Sequence, residues 1–302
     1  MARILISGAS GLVGSALVLS LQANGAQMAR LARSASATGS AKNEQLVPWN
    51  PAQPIDPDSV SGFDAVIHLA GESIVGRWTT AKKARIRDSR IPATNNLARA
   101  LGSARQKPGV FLSASAIGYY GNRGDEVLKE ESAFGTGFAA DLAREWEAAT
   151  EPAAKAGIRT VRMRIGIVLS KAGGALPRML TPFKMGVGGR IGNGRQWMSW
   201  VDLNDVVGAM RHLLKTESLQ GPVNVVAPKP VTNADFTKTL ASVLSRPAIF
   251  PMPAFAAKLA FGQMADELLL ASQRVEPAKL LSSGYAFRFG DLRASLANAI
   301  GH

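Results

Sequence analysis

No cysteine occurs among the 302 residues, which excludes disulfides, thiolate catalysis and cysteine-bound zinc or iron–sulfur clusters. Histidine is almost as scarce. His68, His212 and His302 stand far apart, none in a ligand motif, so no metal site is expected. No apolar run approaches the ~18 residues of a membrane span, and the N-terminus passes into a strand pattern rather than a signal peptide. The expected location is cytoplasmic, with no membrane partner. Acidic residues are in deficit: 22 Asp plus Glu against 35 Lys plus Arg leave a net charge of +13. Such an excess suits an anionic partner. The densest basic stretch, residues 77–107, holds Lys82, Lys83, Arg85, Arg87, Arg90, Arg99 and Arg105. Beyond Trp78 it lacks the interleaved aromatics on which single-stranded nucleic acid stacks. It reads as the solvated face of a helix, and no nucleic-acid partner is expected.

What the chain does have is an informative start. Residues 4–6 are apolar and the run stops at Gly8. Gly11 and Gly14 follow at three-residue steps, and Val13, Ala16, Leu17 and Leu21 take up helical spacing. A buried strand, a tight glycine turn and a helix N-terminus in that order can hold a dinucleotide pyrophosphate on backbone N–H groups. Gly8, Ser10, Gly11, Leu12 and Val13 are the candidate cradle. A Cβ at the glycines would keep the backbone from the phosphates or from its packed neighbour. At the end of the second strand, an acid binds the ribose hydroxyls of NAD, whereas an arginine accommodates the 2′-phosphate of NADP. Here Leu31-Ala32-Arg33-Ser34 is followed by no acid before Glu44. Arg33 offers a planar fork and Ser34 a hydroxyl, so NADP is the expected cofactor. Arg30 competes with Arg33 for the role.

Strand and helix patterns alternate through the first half, the sign of a doubly wound parallel α/β sheet. Further strands are expected at residues 27–32, 44–47, 64–69, 110–116 and 160–169, with a basic helical region at 80–105 interrupted by Pro92. A helix at 138–151 is expected to turn its acids outward and to end at Pro152. Beyond residue 170 the texture changes: residues 186–194 are glycine-rich, a helix starts near Asp202, and a last core strand fits 222–227. Thr232, with Asp235 three residues on, has the form of a helix N-cap. Pro247, Pro251, Pro253 and Pro277 divide the remaining short helices. The pattern gives a cofactor domain at 1–170 plus about 199–228, and a smaller, interleaved C-terminal substrate domain at about 171–198 plus 229–302.

Three stretches together resemble the short-chain dehydrogenase/reductase superfamily, and most of all its extended, sugar-nucleotide epimerase/dehydratase branch. They are Ser7-Gly8-Ala9-Ser10-Gly11-Leu12-Val13-Gly14, His68-Leu69-Ala70-Gly71 and Ser113-Ala114-Ser115-Ala116-Ile117-Gly118-Tyr119-Tyr120-Gly121. Ser89-Arg90-Ile91, Gly124-Asp125-Glu126 and the stretches 192–201 and 227–232 narrow the resemblance to an atypical subgroup of epimerase family proteins. That subgroup has a small C-terminal domain of unknown function. The resemblance covers essentially the whole chain. It implies a Rossmann domain with NADP and a substrate domain closing over the nicotinamide, and it supplies no substrate. Leu69, Ala70, Gly71, Ser113 and Arg164 are further residues expected on the cofactor side.

The branch uses a Ser after the fifth strand and a Tyr-x-x-x-Lys on the next helix. Ser115 matches the Ser by position. The pair has no counterpart: four residues beyond Tyr119, Tyr120 and Tyr285 stand Arg123, Gly124 and Phe289. The helix expected to hold it begins near Phe138, with Leu142 four residues on. The Lys of such a pair lowers the tyrosine pKa and holds the ribose; a Phe cannot stand in for that tyrosine. If chemistry occurs, the proton comes from elsewhere. Tyr119 and Tyr120 lie just past the fifth strand, and Glu72 follows Gly71, where desolvation would raise its pKa. Each also reads structurally, the tyrosines as packed aromatics and Glu72 as a solvated loop acid.

Trp197 and Trp200 suit either the wall of a pocket for a ring-bearing ligand or a packed core turn. Arg90 and Arg195 offer charge to an anionic substrate. Two functions stay open. One is an NADP-dependent oxidoreductase or epimerase-like enzyme acting on a carbonyl, alcohol or nucleotide sugar, with Ser115 hydrogen-bonded to the substrate oxygen. The other is an NADP-binding sensor that kept the fold and lost the chemistry. The basic helix and the 138–151 helix match those that often pair subunits in the superfamily, which permits a homodimer.

Overall fold

A computed structural model of the chain describes residues 2–32 and 45–301. Arg33, Ser34 and Glu44 lie outside the described residues. Seven strands form the main sheet: β1 (Arg3–Ser7), β2 (Gln27–Ala32), β3 (Gln45–Pro48), β4 (Ala65–His68), β5 (Val110–Ala116), β6 (Arg159–Ile165) and β7 (Gly221–Val225). Their order is β7-β6-β5-β4-β1-β2-β3, every pair parallel. The direction of travel across the sheet reverses at β1, between β4 and β2. In open parallel sheets, ligands bind outside the strand ends at that reversal.

Both faces of the sheet are covered, which is why β1 reads as an unbroken apolar run rather than an alternating one. Ile4, Ile6, Ile67, Leu112 and Met163 pack on one face with Leu17 and Leu21 of α1 (Leu12–Ala23). Leu5, Val66 and Phe111 pack on the other with Leu97 and Leu101 of the Ile91–Ser103 helix. Burying each aliphatic side chain is worth about 1.5–3 kcal/mol. These central strands therefore hold the strand ends in place for the site.

The basic region is two helices rather than one interrupted helix: α2 (Thr80–Asp88) and α3 (Ile91–Ser103), with Ser89 and Arg90 between them. Pro92 stands in the first turn of α3, where its missing N–H costs no intrahelical bond. Pro152 behaves likewise. The helix α4 (Phe138–Ala148) stops before it, and Pro152 lies inside a separate short helix, α5 (Glu151–Lys155). Nor do all the acids of α4 point outward, because Glu147 is buried beside Trp146.

The expected sixth strand also divides. After β6 the chain passes Gly166 and leaves the main sheet, so that Ile167–Leu169 pairs with Trp200–Asp202. Gly166 makes the switch possible: a Cβ there would fall 2.6 Å from the Ser199 carbonyl oxygen. A second core then forms among Leu169, Leu180, Phe183, Trp200, Phe236 and Leu296. Trp200 is fully enclosed there, as a packed core residue. Asp202 caps the Leu203–Lys215 helix by accepting from Asn204 N at 2.8 Å, and its other oxygen accepts from Ser295 at 2.9 Å. That carboxylate ties the C-terminal Leu292–Ile300 helix to the sheet side. The Thr232 cap forms as expected, accepting from Asp235 N at 3.1 Å. Among the described residues no helix is long and apolar enough to cross a membrane.

Candidate active site

The turn after β1 is built by close backbone approach. Gly8 has φ +70°, and a Cβ on it would lie 2.7 Å from Ala70 N and from the Leu69 carbonyl carbon. A Cβ on Gly14 would overlap the Gly8 carbonyl oxygen. These two glycines therefore serve packing within the protein. Gly11 differs. It is exposed, its N–H donates to Gly8 O at 3.0 Å, and among the described residues a Cβ would meet only that oxygen, at 3.3 Å. No side chain caps α1 and its first turn holds no acid. The first N–H groups of a helix have no intrahelical partner and favour anions. Exposed Ser10 and half-buried Leu12 and Val13 complete the turn. Its open side fits a pyrophosphate.

A buried polar chain holds this turn against β4. Ser7 Oγ lies 2.6 Å from His68 Nδ1, and it accepts from Leu69 N at 3.2 Å. His68 Nε2 lies 2.9 Å from Thr94 Oγ1, which also accepts from Trp146 Nε1 at 2.9 Å. Burial, helped by the charge of Arg90, lowers the His68 pKa to about 4, so the ring is neutral. Residues 69–71 leave this chain as half-buried to exposed backbone beside Gly8.

At the end of β5 the side chains satisfy one another. Ser115 donates to Glu147 Oε1 at 2.7 Å, and Arg164 grips the same carboxylate with Nε and Nη2 at 2.8 and 2.9 Å. Arg164 Nη1 donates to Tyr120 Oη at 2.9 Å and to Glu130 O at 3.0 Å. Tyr120 in turn donates to Asn224 Oδ1 at 2.7 Å. Burial pulls the Arg164 pKa down, but the Glu147 hydrogen bonds and charge outweigh it and hold the guanidinium above the usual arginine range. Burial likewise pushes Tyr120 up to about 12 against the opposing pull of Arg164.

These bonds separate the candidates. Tyr120 is fully buried with its proton engaged, and Arg164 is held in an internal ion pair. Ser113 is also fully buried, and among the described residues its hydroxyl makes only a 3.4 Å contact to Ala114 O. Tyr119 is half-buried, its ring face 3.4 Å from the Arg164 guanidinium carbon, and its hydroxyl makes no hydrogen bond among the described residues. Sequence reading did not single out Glu147, Glu130 or Asn224. The available signal was polarity in an apolar pattern. Glu147 shares the inner face of α4 with Ala140 and Ala143, and Asn224 stands between Val223 and Val225.

The start of the helix expected to hold the pair is filled with apolar packing. Phe138 meets the Trp78 ring edge-on at 5.0 Å, and Leu142 is buried in a cluster with Trp78, Ile86 and Met264. Glu267, from the C-terminal segment, accepts from Phe138 N at 3.1 Å and Ala139 N at 2.7 Å, capping α4 across a long sequence distance. Glu72 is not the desolvated acid expected. Lys82 donates to it at 2.7 Å, and that hydrogen bond and charge hold its pKa below the usual carboxylate value. Trp197 donates to Asp125 Oδ1 at 2.8 Å beneath the Arg274 guanidinium, and Arg195 is exposed.

Residues 4–227 match the model of the NAD dependent epimerase/dehydratase family, and residues 252–299 match a domain of unknown function, DUF1731. The epimerase family protein Mb2239 of Mycobacterium bovis is 42% identical over 300 residues, covering 99% of this chain and 97% of its own. Epimerase family protein YfhF of Bacillus subtilis is 37% identical over 299 residues, covering 99% and 98%. The crystal structure of human epimerase family protein SDR39U1 with NADPH superposes with a TM-score of 0.89 at 31% identity, covering 99% of each chain. With the reversal at β1 and the open glycine turn already in place, these matches show that the chain belongs to the NAD dependent epimerase/dehydratase family, with a DUF1731 domain at its C-terminus.

Proposed function

We propose that the protein binds NADP across the turn of Gly8, Ser10, Gly11, Leu12 and Val13 and works as an oxidoreductase or epimerase-like enzyme on a carbonyl, alcohol or nucleotide-sugar substrate. The observation that carries the reading is Gly11 at an uncapped helix N-terminus, open on its outer side among the described residues, at the point where the sheet order reverses. Leu69, Ala70 and Gly71 face the same strand ends. Arg33 and Ser34 are the residues for the 2′-phosphate, and the NADPH in the SDR39U1 crystal structure supports that choice of nucleotide.

When bound, the nicotinamide supplies or accepts a hydride. The chain's own part is to hold the substrate oxygen and handle its proton. Because Ser115 spends its one O–H on a hydrogen bond to Glu147, it presents lone pairs and accepts a hydrogen bond from a substrate hydroxyl. Tyr119 is the hydroxyl left free to exchange a proton, and Arg164 fixes its ring. Epimerisation needs the hydride returned to the other face; simple oxidation or reduction does not.

One observation favours a sensor without catalysis: Phe138 and Leu142, at the start of the helix expected to hold the acid/base pair, are locked in apolar packing. The test is a fluorescence titration with NADPH and NADH, repeated on Arg33→Ala, followed by NADPH oxidation with a panel of carbonyls and nucleotide sugars. Preferential NADPH binding that weakens in Arg33→Ala is the expected result. Turnover abolished by Tyr119→Phe supports the enzyme. Binding with no turnover across the panel favours the sensor, and absence of binding removes both.

A further inference from the structure

Arg90 sits in the short link between α2 and α3, half-buried, with unusual company. Its Nη1 donates to Ile86 O at 3.1 Å and Ser89 Oγ at 3.3 Å. Neither Nε nor Nη2 makes a hydrogen bond among the described residues, and no carboxylate there forms an ion pair with it. Glu72, the acid whose charge it feels, is already bonded to Lys82. Burial lowers the Arg90 pKa to about 10. A partly desolvated guanidinium without a counter-ion is unfavourable unless something else meets it.

Its surroundings say where that something lies. The guanidinium carbon stands 5.0 Å from the Trp146 ring, and a Cβ on Gly71 would fall 3.0 Å from it. Gly71 is exposed backbone just past β4, beside the nucleotide turn. Trp146 is one helical turn beyond Leu142 on α4, so the two share a face. Leu142 lies on the helix expected to hold the lysine, and Ile86, whose carbonyl anchors Arg90, packs in the Leu142 cluster.

We infer that Arg90 supplies, from the link between α2 and α3, the cation that the missing lysine would have provided, and that its free N–H groups bind the ribose and phosphate oxygens of the nicotinamide half of the dinucleotide. The inference rests on the NADP reading and goes beyond it. It accounts for how a family member without the lysine still fixes the reactive end of its nucleotide. A planar guanidinium donates two parallel hydrogen bonds where an ammonium donates from a point.

The test compares two ligands on the full chain: NADPH, and adenosine 2′,5′-bisphosphate, which has no nicotinamide half. Arg90→Ala is expected to weaken NADPH about ten-fold or more while leaving the bisphosphate within about two-fold. Arg90→Lys, keeping charge without the fork, is expected to fall between. Thermal unfolding is followed in parallel, and Arg90→Gln, which retains a donor for Ile86 O, replaces the alanine variant if that one does not fold. Unchanged NADPH affinity overturns the inference, and so does an equal loss for both ligands, which would assign Arg90 to shaping the loop. If the wild-type chain binds the bisphosphate and NADPH equally well, no nicotinamide-side anchor exists. If it binds neither, the NADP reading itself fails.

Discussion

Two regions at the same end of the parallel strands are built in opposite ways. The turn after β1 is made of backbone, with Gly8 and Gly14 allowing close approach and Gly11 leaving an open, uncapped helix start. The end of β5 is made of side chains, with Ser115, Glu147, Arg164, Tyr120 and Asn224 closed into a single buried network. The first region has hydrogen-bonding capacity to offer a ligand. Most of the second is used internally, and only Tyr119 and the lone pairs of Ser115 remain. On the proposed reading, the open turn is the nucleotide cradle, while the start of the helix expected to hold the acid/base pair is packed with Phe138 and Leu142.

Breaking the side-chain network is expected to have the largest effect. Glu147→Leu leaves the Arg164 charge buried and unpaired, and a loss of about 3–5 kcal/mol of stability is expected in chemical denaturation. Adding Arg164→Met should restore much of it, because the pair then leaves together. If the single variant is as stable as wild type, the network is not structural. Gly14→Ala comes next, on the backbone side. The overlap with Gly8 O forces the turn and α1 apart, at a cost of about 3 kcal/mol, and nucleotide binding should be lost with it.

A smaller effect sharpens the link between the regions. His68, lowered by burial to about 4, stays neutral in the folded state while the unfolded ring titrates near 6.5. Its contribution to stability is therefore complete above that pH and is lost as the pH falls from 6.5 toward 4. Between pH 7 and 5, above most carboxylate titration, the wild type should lose about 2 kcal/mol. His68→Gln should show a flatter slope there in denaturation at each pH, and an unchanged slope would show that the ring is not the group responsible. Smallest is Tyr120→Phe, which removes one internal hydroxyl and should cost about 1 kcal/mol. The variant should leave NADPH affinity intact, and a loss of binding would move Tyr120 into the cofactor site.

The contrast also explains what the sequence made legible. The glycine turn, the alternating elements and the parallel sheet are local signals: an apolar run, a three-residue glycine spacing, and helical periodicity in α1. So is the absence of the Tyr-x-x-x-Lys pair. The network was not legible, because Ser115 and Glu147 meet over 32 residues and Tyr120 and Asn224 over 104. Only the tertiary fold brings such partners together. Glu72 was misjudged for a similar reason: its environment depends on Lys82, ten residues away on a helix that turns back over it. Pro92 and Pro152 looked like interruptions, yet both sit in first turns where proline is tolerated.

The most direct test of the account is an NADPH titration of wild type and Gly11→Ala, with thermal unfolding of both. Gly11 has an ordinary backbone conformation, φ −74°, and among the described residues a Cβ there meets one atom, at 3.3 Å. The variant should therefore keep its melting temperature within a few degrees and lose about ten-fold or more in NADPH affinity. Equal affinity in the two proteins would contradict this, because the methyl group would then stand where no phosphate binds.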